Sequence, residues 1–150
     1  MEIKGLKEAQ RKMDQTAKDL RGTAMVEAMR DATMLVTRSA RINAPVDTGR
    51  LRASIVPEVV QRDNVVKGIV GSNVKYAPYM ELGTRPHWPP IQALEVWARR
   101  HNMTAFVVAR AIARRGTKAR RFLQRAFMEN RNQIGEIIAR TVGRIVEKRG

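Results

Sequence analysis

The side chains that perform most protein chemistry are sparse in this chain of 150 residues. It contains no cysteine, so disulfides and thiolate metal sites are excluded, as expected for a protein made in a reducing cytoplasm. His87 and His101 are the only histidines, and neither has a partner at metal-ligand spacing. The carboxylates are scattered and form no close group of the kind that a two-metal nuclease requires. The residues therefore predict no metal, no cofactor and no enzyme.

Glu81 is the acidic side chain that could serve as a lone general base. It precedes Leu82 and Gly83, and a carboxylate beside such a turn more often accepts structural hydrogen bonds. Gly49 and Gly83 belong to no phosphate-binding pattern. We therefore interpret Glu81 as structural.

Charge is the strongest compositional signal. The chain contains 29 Lys and Arg residues and 14 Asp and Glu residues, which gives a net charge of +15. No acidic residue occurs between Glu95 and Glu129, whereas nine cations do. These cations, called the basic belt below, are Arg99, Arg100, Arg110, Arg114, Arg115, Lys118, Arg120, Arg121 and Arg125. Such a belt suits a polyanion or an acidic protein face, and is equally compatible with a solvated helix surface.

The apolar spacing of the first third predicts one long helix over residues 3–41, with Gly22 as a point where it bends or breaks. Its narrow stripe also fits a coiled-coil seam to another subunit. Residues 51–60 and 64–70 are rich in Ile and Val and predict a β-hairpin, in which Pro57 favours an edge position. Residues 74–84 fit a short helical turn or a third strand.

Beyond a proline-rich linker, residues 91–115 predict a helical hairpin with Thr104 as an N-cap, and residues 121–148 predict a long amphipathic helix. A helix-turn-helix would also explain the belt, but its recognition helix reads bases with N-terminal residues, and here the arginines come last.

The predicted fold is a single α+β domain over residues 1–150: a long N-terminal helix, a small antiparallel sheet with exposed edges, an inserted helical hairpin and a long C-terminal helix. We expect an aliphatic core in which the eight methionines fill gaps.

A corner separates the first helical pattern from the hairpin. Pro45 excludes the α conformation for the residue before it, so the helix must end there. Asp47 and Thr48 can bond nearby backbone amides, and Gly49 can take a positive φ before Leu51. These residue types predict a tight turn.

Three separated stretches together resemble the small neck or tail-completion proteins of long-tailed bacteriophages. They are APVDTGRLRASI at 44–55, YAPYMELGT at 76–84 and GTKARRFLQRA at 116–126. Leu82 stands where that pattern usually has Phe, and Arg121 where it usually has Pro. The positions that we expect to be structural or interface sites are Pro45, Asp47, Thr48, Gly49, Leu51, Tyr76, Ala77, Glu81, Gly83, Thr84, Phe122 and Leu123.

The resemblance implies a non-enzymatic virion protein, made in the host cytoplasm, that assembles with copies of itself as a ring at the head–tail junction. Its implied partners are connector or head-completion proteins on one side and tail-terminator or tail-tube proteins on the other, with nonspecific contact to genomic DNA as a further possibility. No membrane is expected, because the longest apolar runs fall far short of the ~20 residues that a span needs. The alternative is a basic, sequence-nonspecific DNA-binding or packaging accessory protein that acts without a ring.

Overall fold

A computed structural model describes residues 6–20, 22–63 and 65–148 and confirms a mostly helical α+β fold. The elements, in chain order, are α1 (Leu6–Asp19), α2 (Thr23–Asn43), α3 (Arg50–Ser54), β1 (Ile55–Arg62), β2 (Val65–Ser72), α4 (Ala77–Leu82), α5 (Ile91–Arg100), α6 (Ala105–Arg115) and α7 (Phe122–Glu147). The chain divides into two compact units. Unit 1 combines the residues up to Ser72 with those from Leu123 onward, and unit 2 comprises Asn73–Phe122. That the whole chain forms one domain stays a prediction.

The N-terminal helical region consists of two helices, because the chain breaks at the predicted weak point next to Gly22. The Gly22 N–H donates to the Asp19 carbonyl at 3.0 Å, and α2 begins one residue later. Residues 3–5 of the predicted helix lie outside the described residues. At its far end α2 stops at Asn43, and Ala44 is extended with φ −66° and ψ 132°. Pro45 requires this conformation of its predecessor.

The hairpin is antiparallel, and its register runs from Ile55 opposite Ser72 to Arg62 opposite Val65. The prediction that a strand starts at Leu51 is wrong, since α3 precedes β1. The helical turn forms because Gly49 lies in the left-handed region and its carbonyl accepts the Ala53 N–H at 3.0 Å. The sheet of the described chain has only these two strands, so each strand has an open edge.

The core of unit 1 is built where α2 lies against the hairpin. Small side chains let the two elements approach closely, and at Gly68 a Cβ would come within 2.5 Å of Thr33 Cγ2 and 2.8 Å of Met29 Sδ. The α2 side chains that are buried are Ala28, Ala32, Thr33, Val36, Thr37 and Ala40. The expectation of a methionine-filled core is wrong: no methionine in the described part of the chain is buried.

Two side-chain hydrogen bonds join α7 to α2 within unit 1. The buried Asn130 Nδ2 donates to Ser39 Oγ at 2.7 Å and also to the Ala126 carbonyl at 2.7 Å. Asn43 Nδ2 donates to Glu129 Oε2 at 2.9 Å. These bonds fix the long helix beside α2.

In unit 2 the residues after β2 form the helix α4, so the third-strand alternative is wrong. The predicted helical hairpin is present as α5 and α6, which contact each other, and the buried side chains of the two helices are Ala98, Val108 and Ala109. Thr104 caps α6 as predicted, because its hydroxyl accepts the Val107 N–H at 3.4 Å.

Candidate functional site

Two Gly-Thr dipeptides, 33 residues apart, meet in unit 2. The Thr84 N–H donates to the Thr117 carbonyl at 3.1 Å, and the Thr117 N–H donates to the Thr84 carbonyl at 3.2 Å. The two hydroxyls are also hydrogen-bonded at 3.0 Å. We call Gly83, Thr84, Gly116 and Thr117 the Gly-Thr clasp. It closes the loop that contains α5 and α6.

Both clasp glycines are required by the backbone. Gly83 has φ 73° and ψ −176°, and Gly116 has φ 68° and ψ −160°, a region that is essentially restricted to glycine. A Cβ on Gly83 would collide with the Thr117 carbonyl oxygen, and a Cβ on Gly116 with the Thr84 carbonyl oxygen. Both positions therefore require glycine for two reasons, the backbone conformation and the collision.

The segment after the clasp donates hydrogen bonds to the last carbonyl groups of α4. Carbonyls in the last turn of a helix lack helical partners. Here the Met80 carbonyl accepts the Arg120 N–H at 2.8 Å, and the Glu81 carbonyl accepts the Arg121 N–H at 3.1 Å. Arg121 has φ 50°, which proline cannot adopt, so the turn before the fully buried Phe122 differs from one with Pro there. The second and third resembling stretches thus lie side by side.

The corner belongs to unit 1. Gly49 has φ 79°, which confirms the predicted turn, and the Thr48 hydroxyl accepts the Arg50 N–H at 3.4 Å. Leu51 is buried. Just beyond α3, the Ile55 carbonyl accepts two bonds from Arg41, from Nε at 3.1 Å and from Nη2 at 2.8 Å. This guanidinium ties the end of α2 to the start of β1.

The remaining predicted positions divide between surface and interior. Asp47 and Tyr76 are exposed, Ala77 is buried, and Pro45, Glu81 and Leu123 are half-buried. Their role as interface sites stays a prediction. Gly116, Thr117 and Arg41 are not among the positions expected from the sequence to be structural or interface sites, although the repeated Gly-Thr dipeptide is an available signal for the first two.

All nine belt cations are exposed. Eight of them lie in unit 2, and Arg125 lies in unit 1. Unit 2 contains ten Lys and Arg but only two acidic residues, Glu81 and Glu95. Arg110 and Arg114 are one helical turn apart on α6 and share a face. Unit 2 is therefore a strongly cationic surface.

Unit 2 also exposes most of the aromatic side chains of the protein. Five of the seven are exposed there: Tyr76, Tyr79, Trp88, Trp97 and Phe106. Trp88 and Phe106 contact each other edge to face, with ring centroids 5.8 Å apart. Trp97 stacks on His101 at 4.1 Å. Exposed Trp and Tyr next to Arg are typical of protein–protein interfaces.

Among the described residues, no three His, Asp or Glu side chains are arranged to hold a metal ion. Nor does any helix in residues 6–20, 22–63 or 65–148 have the length and apolar character needed to cross a membrane. The His87 and His101 rings instead contact main-chain carbonyls, those of Arg85 and Trp97.

A family model described as "Bacteriophage HK97-gp10, putative tail-component" matches residues 7–83. The chain belongs to the HK97-gp10-like family. The family is one of phage tail components, which makes this chain a tail-related structural protein and bears out the resemblance seen in the sequence. No curated protein and no solved structure matches the chain significantly.

The HK97-gp10-like match runs from α1 through the corner, the hairpin and α4, and it ends at Gly83. Gly116, Thr117 and the whole basic belt lie beyond it. The family match therefore provides no information on Gly116, Thr117 or the basic belt of this HK97-gp10-like protein.

Proposed function

We propose that this protein is a structural subunit of the phage head–tail junction, a neck or tail-completion protein that forms a ring and helps to join the tail to the DNA-filled head. Its partners are copies of itself, connector or head-completion proteins on one side, and tail-terminator or tail-tube proteins on the other. The protein resides in the virion and acts by surface complementarity, with no catalytic step.

The observation that carries this proposal is that both units expose large apolar side chains to solvent. On the hairpin, the residues that alternate with the α2-facing positions include Val56, Val65 and Ile69, and all three are exposed. Unit 2 adds its exposed aromatic residues. Monomeric soluble proteins rarely leave large contiguous apolar patches uncovered, and an open sheet edge invites pairing. Contacts between unlike patches of neighbouring copies cover such surfaces and close into rings.

Two measurements test the proposal together. Sedimentation of the purified protein over a range of concentrations should show a closed oligomer of one size, and mass spectrometry of purified virions should recover the protein. A chain that remains monomeric at every concentration and is missing from virions would contradict the proposal.

A second candidate, a sequence-nonspecific DNA-binding or packaging accessory protein, is favoured by the nine exposed belt cations. If it is correct, the isolated monomer should shift a labelled duplex with an affinity that falls steeply as salt rises. One duplex outcompeting others by more than about 100-fold would instead require base or shape readout.

A further inference from the structure

The outward face of α6 changes character along its length. Ala105, Val108, Ala109, Ile112 and Ala113 are buried or half-buried. The face away from them presents the exposed residues Phe106, Arg110 and Arg114, spaced four residues apart. Trp88 lies edge to face on Phe106, and these two rings are 54% and 55% exposed. The face is therefore aromatic at its N-terminal end and cationic at its C-terminal end.

The outward face of α2 has the opposite order. Glu27 and Asp31 are exposed carboxylates one turn apart, and Met34, 63% exposed, follows on the same face. Arg30 flanks this face. The face is therefore acidic in its N-terminal half and apolar where Met34 begins.

Met34 also lines an open groove. The groove has a volume of about 870 Å³, and its apolar lining includes Leu35, Ile42 and Pro57. The guanidinium side chains of Arg38, Arg41 and Arg52 also line it. Such a groove suits aromatic rings, because a guanidinium within reach of an aromatic face adds a favourable cation–π contact.

We propose that α6 of one copy lies antiparallel on α2 of a second copy. Phe106 and Trp88 enter the groove beside Met34, Arg110 pairs with Asp31, and Arg114 pairs with Glu27. The inference rests on the proposed ring, and it names the contact between neighbouring subunits.

The helical rise supports the pairing. From Phe106, the residues Arg110 and Arg114 lie about 6 and 12 Å along α6. From Met34, the carboxylates of Asp31 and Glu27 lie about 4.5 and 10.5 Å along α2 in the opposite direction. The offset of about 1.5 Å is within the reach of a long arginine side chain.

Charge decides the orientation. In a parallel arrangement the two α6 arginines would approach Arg38 instead of the carboxylates, and like charges brought together across an interface are costly. Within α6 alone, the two arginines repel each other, because like charges one turn apart are unfavourable. The antiparallel contact relieves this repulsion.

The same features favour a second copy over DNA as the occupant. A polyanion would neutralise Arg110 and Arg114 but would leave Trp88 and Phe106 in water. The contact joins two different patches, one on each copy, and contacts of this kind are the ones that close into rings.

Charge reversal in the full-length chain tests the contact. One variant carries Glu27→Arg and Asp31→Arg, and the other carries Arg110→Glu and Arg114→Glu. Each alone should need at least about tenfold more protein to assemble in sedimentation. Mixing the two variants should restore assembly, because each then finds an opposite charge on its neighbour. Circular dichroism checks that each variant folds, and a fold lost in both variants would contradict the surface placement on which the inference rests.

Arg131→Glu with Arg140→Glu, two exposed cations of α7, is the matched control and should leave assembly unchanged. Oligomers that resist both reversals, or single variants that mixing does not rescue, would overturn this contact while leaving the ring proposal intact. A wild-type chain that stays monomeric would overturn the contact, and the ring proposal with it where the protein is also missing from virions. Arginine reversal that abolishes binding to a labelled duplex but spares assembly would assign α6 to DNA and overturn the inference.

Discussion

Unit 1 is held together by side chains packed between α2, the hairpin and α7, whereas unit 2 closes its loop with backbone hydrogen bonds at the Gly-Thr clasp. In unit 1, Gly68 lies directly against Met29 and Thr33. In unit 2, Thr84 and Thr117 exchange main-chain bonds. The aromatic residues of unit 2 are at the surface. Aromatic residues are enriched at protein–protein interfaces, so unit 2 is the unit better suited to contact partners.

The two units also differ in the balance of their charged residues. Unit 2 has ten cations and two anions in 50 residues, whereas the other 100 residues have nineteen cations and twelve anions. Mixed charges neutralise one another on the surface of a single molecule, but a one-sign surface attracts an oppositely charged partner.

The largest effect should come from breaking the clasp. We expect Gly116→Ala to lower the free energy of unfolding by roughly 3–5 kcal/mol, because it combines backbone strain with a collision at the Thr84 carbonyl. Denaturant unfolding measures the change. Gly135→Ala, in an exposed part of α7 where nothing lies near the added Cβ, is the control and should stabilise by about 0.5–1 kcal/mol. Equal effects at both glycines would refute the requirement for glycine in the clasp.

In unit 1 the corresponding test is overpacking by a side chain. Gly68→Ala should cost about 1–3 kcal/mol, because the new methyl group must displace Met29 and Thr33. Met29 is flexible, so adding Met29→Ala should recover part of the loss, and the same unfolding measurement on the double variant tests the coupling. Strict additivity of the two changes would show that α2 and β2 are not in close contact there.

A substitution at the corner of unit 1 measures backbone strain without a steric collision. Gly49 has a positive φ, but nothing lies within 4 Å of an added Cβ. Gly49→Val should therefore lower the thermal midpoint and cost roughly 1–3 kcal/mol, less than the clasp substitution. Gly49→Asn should cost less than Val, because Asn tolerates the left-handed region. An unchanged midpoint for the Val variant would rule out a turn of this kind.

The smallest effect on stability should follow from changing the belt. Replacing Arg114, Arg115 and Arg120 by Gln should leave the free energy of unfolding within about 0.5 kcal/mol, because all three side chains are exposed. Assembly or DNA retention should nevertheless weaken, and more so as salt rises. Unaltered assembly and DNA retention across the salt range would show that the belt is a solvated surface without a partner.

Short-range chemistry explains most of what the sequence predicts correctly. The turn at Gly49, the end of α2 before Pro45 and the cap at Thr104 each depend on a few adjacent residues. The helix α3 was missed for the opposite reason: Leu51 precedes a run rich in Ile and Val, and the run conceals a helical turn that Gly49 initiates from the other side.

The clasp could not be derived locally, because Thr84 and Thr117 are separated by two helices whose placement the sequence does not specify. The close approach at Gly68 likewise depends on the packing of α2 on β2. Composition also misled the prediction of the core, since methionine is abundant but lies outside the buried set in the described residues. The nine belt cations are exposed, and what they contact stays a prediction.

Electron microscopy of lysates from a phage that lacks this protein tests the central proposal most directly. We expect DNA-filled heads and separate tails, with joining restored when the protein is supplied from a second copy of its gene. Normal joined particles in the absence of the protein would contradict a role at the head–tail junction.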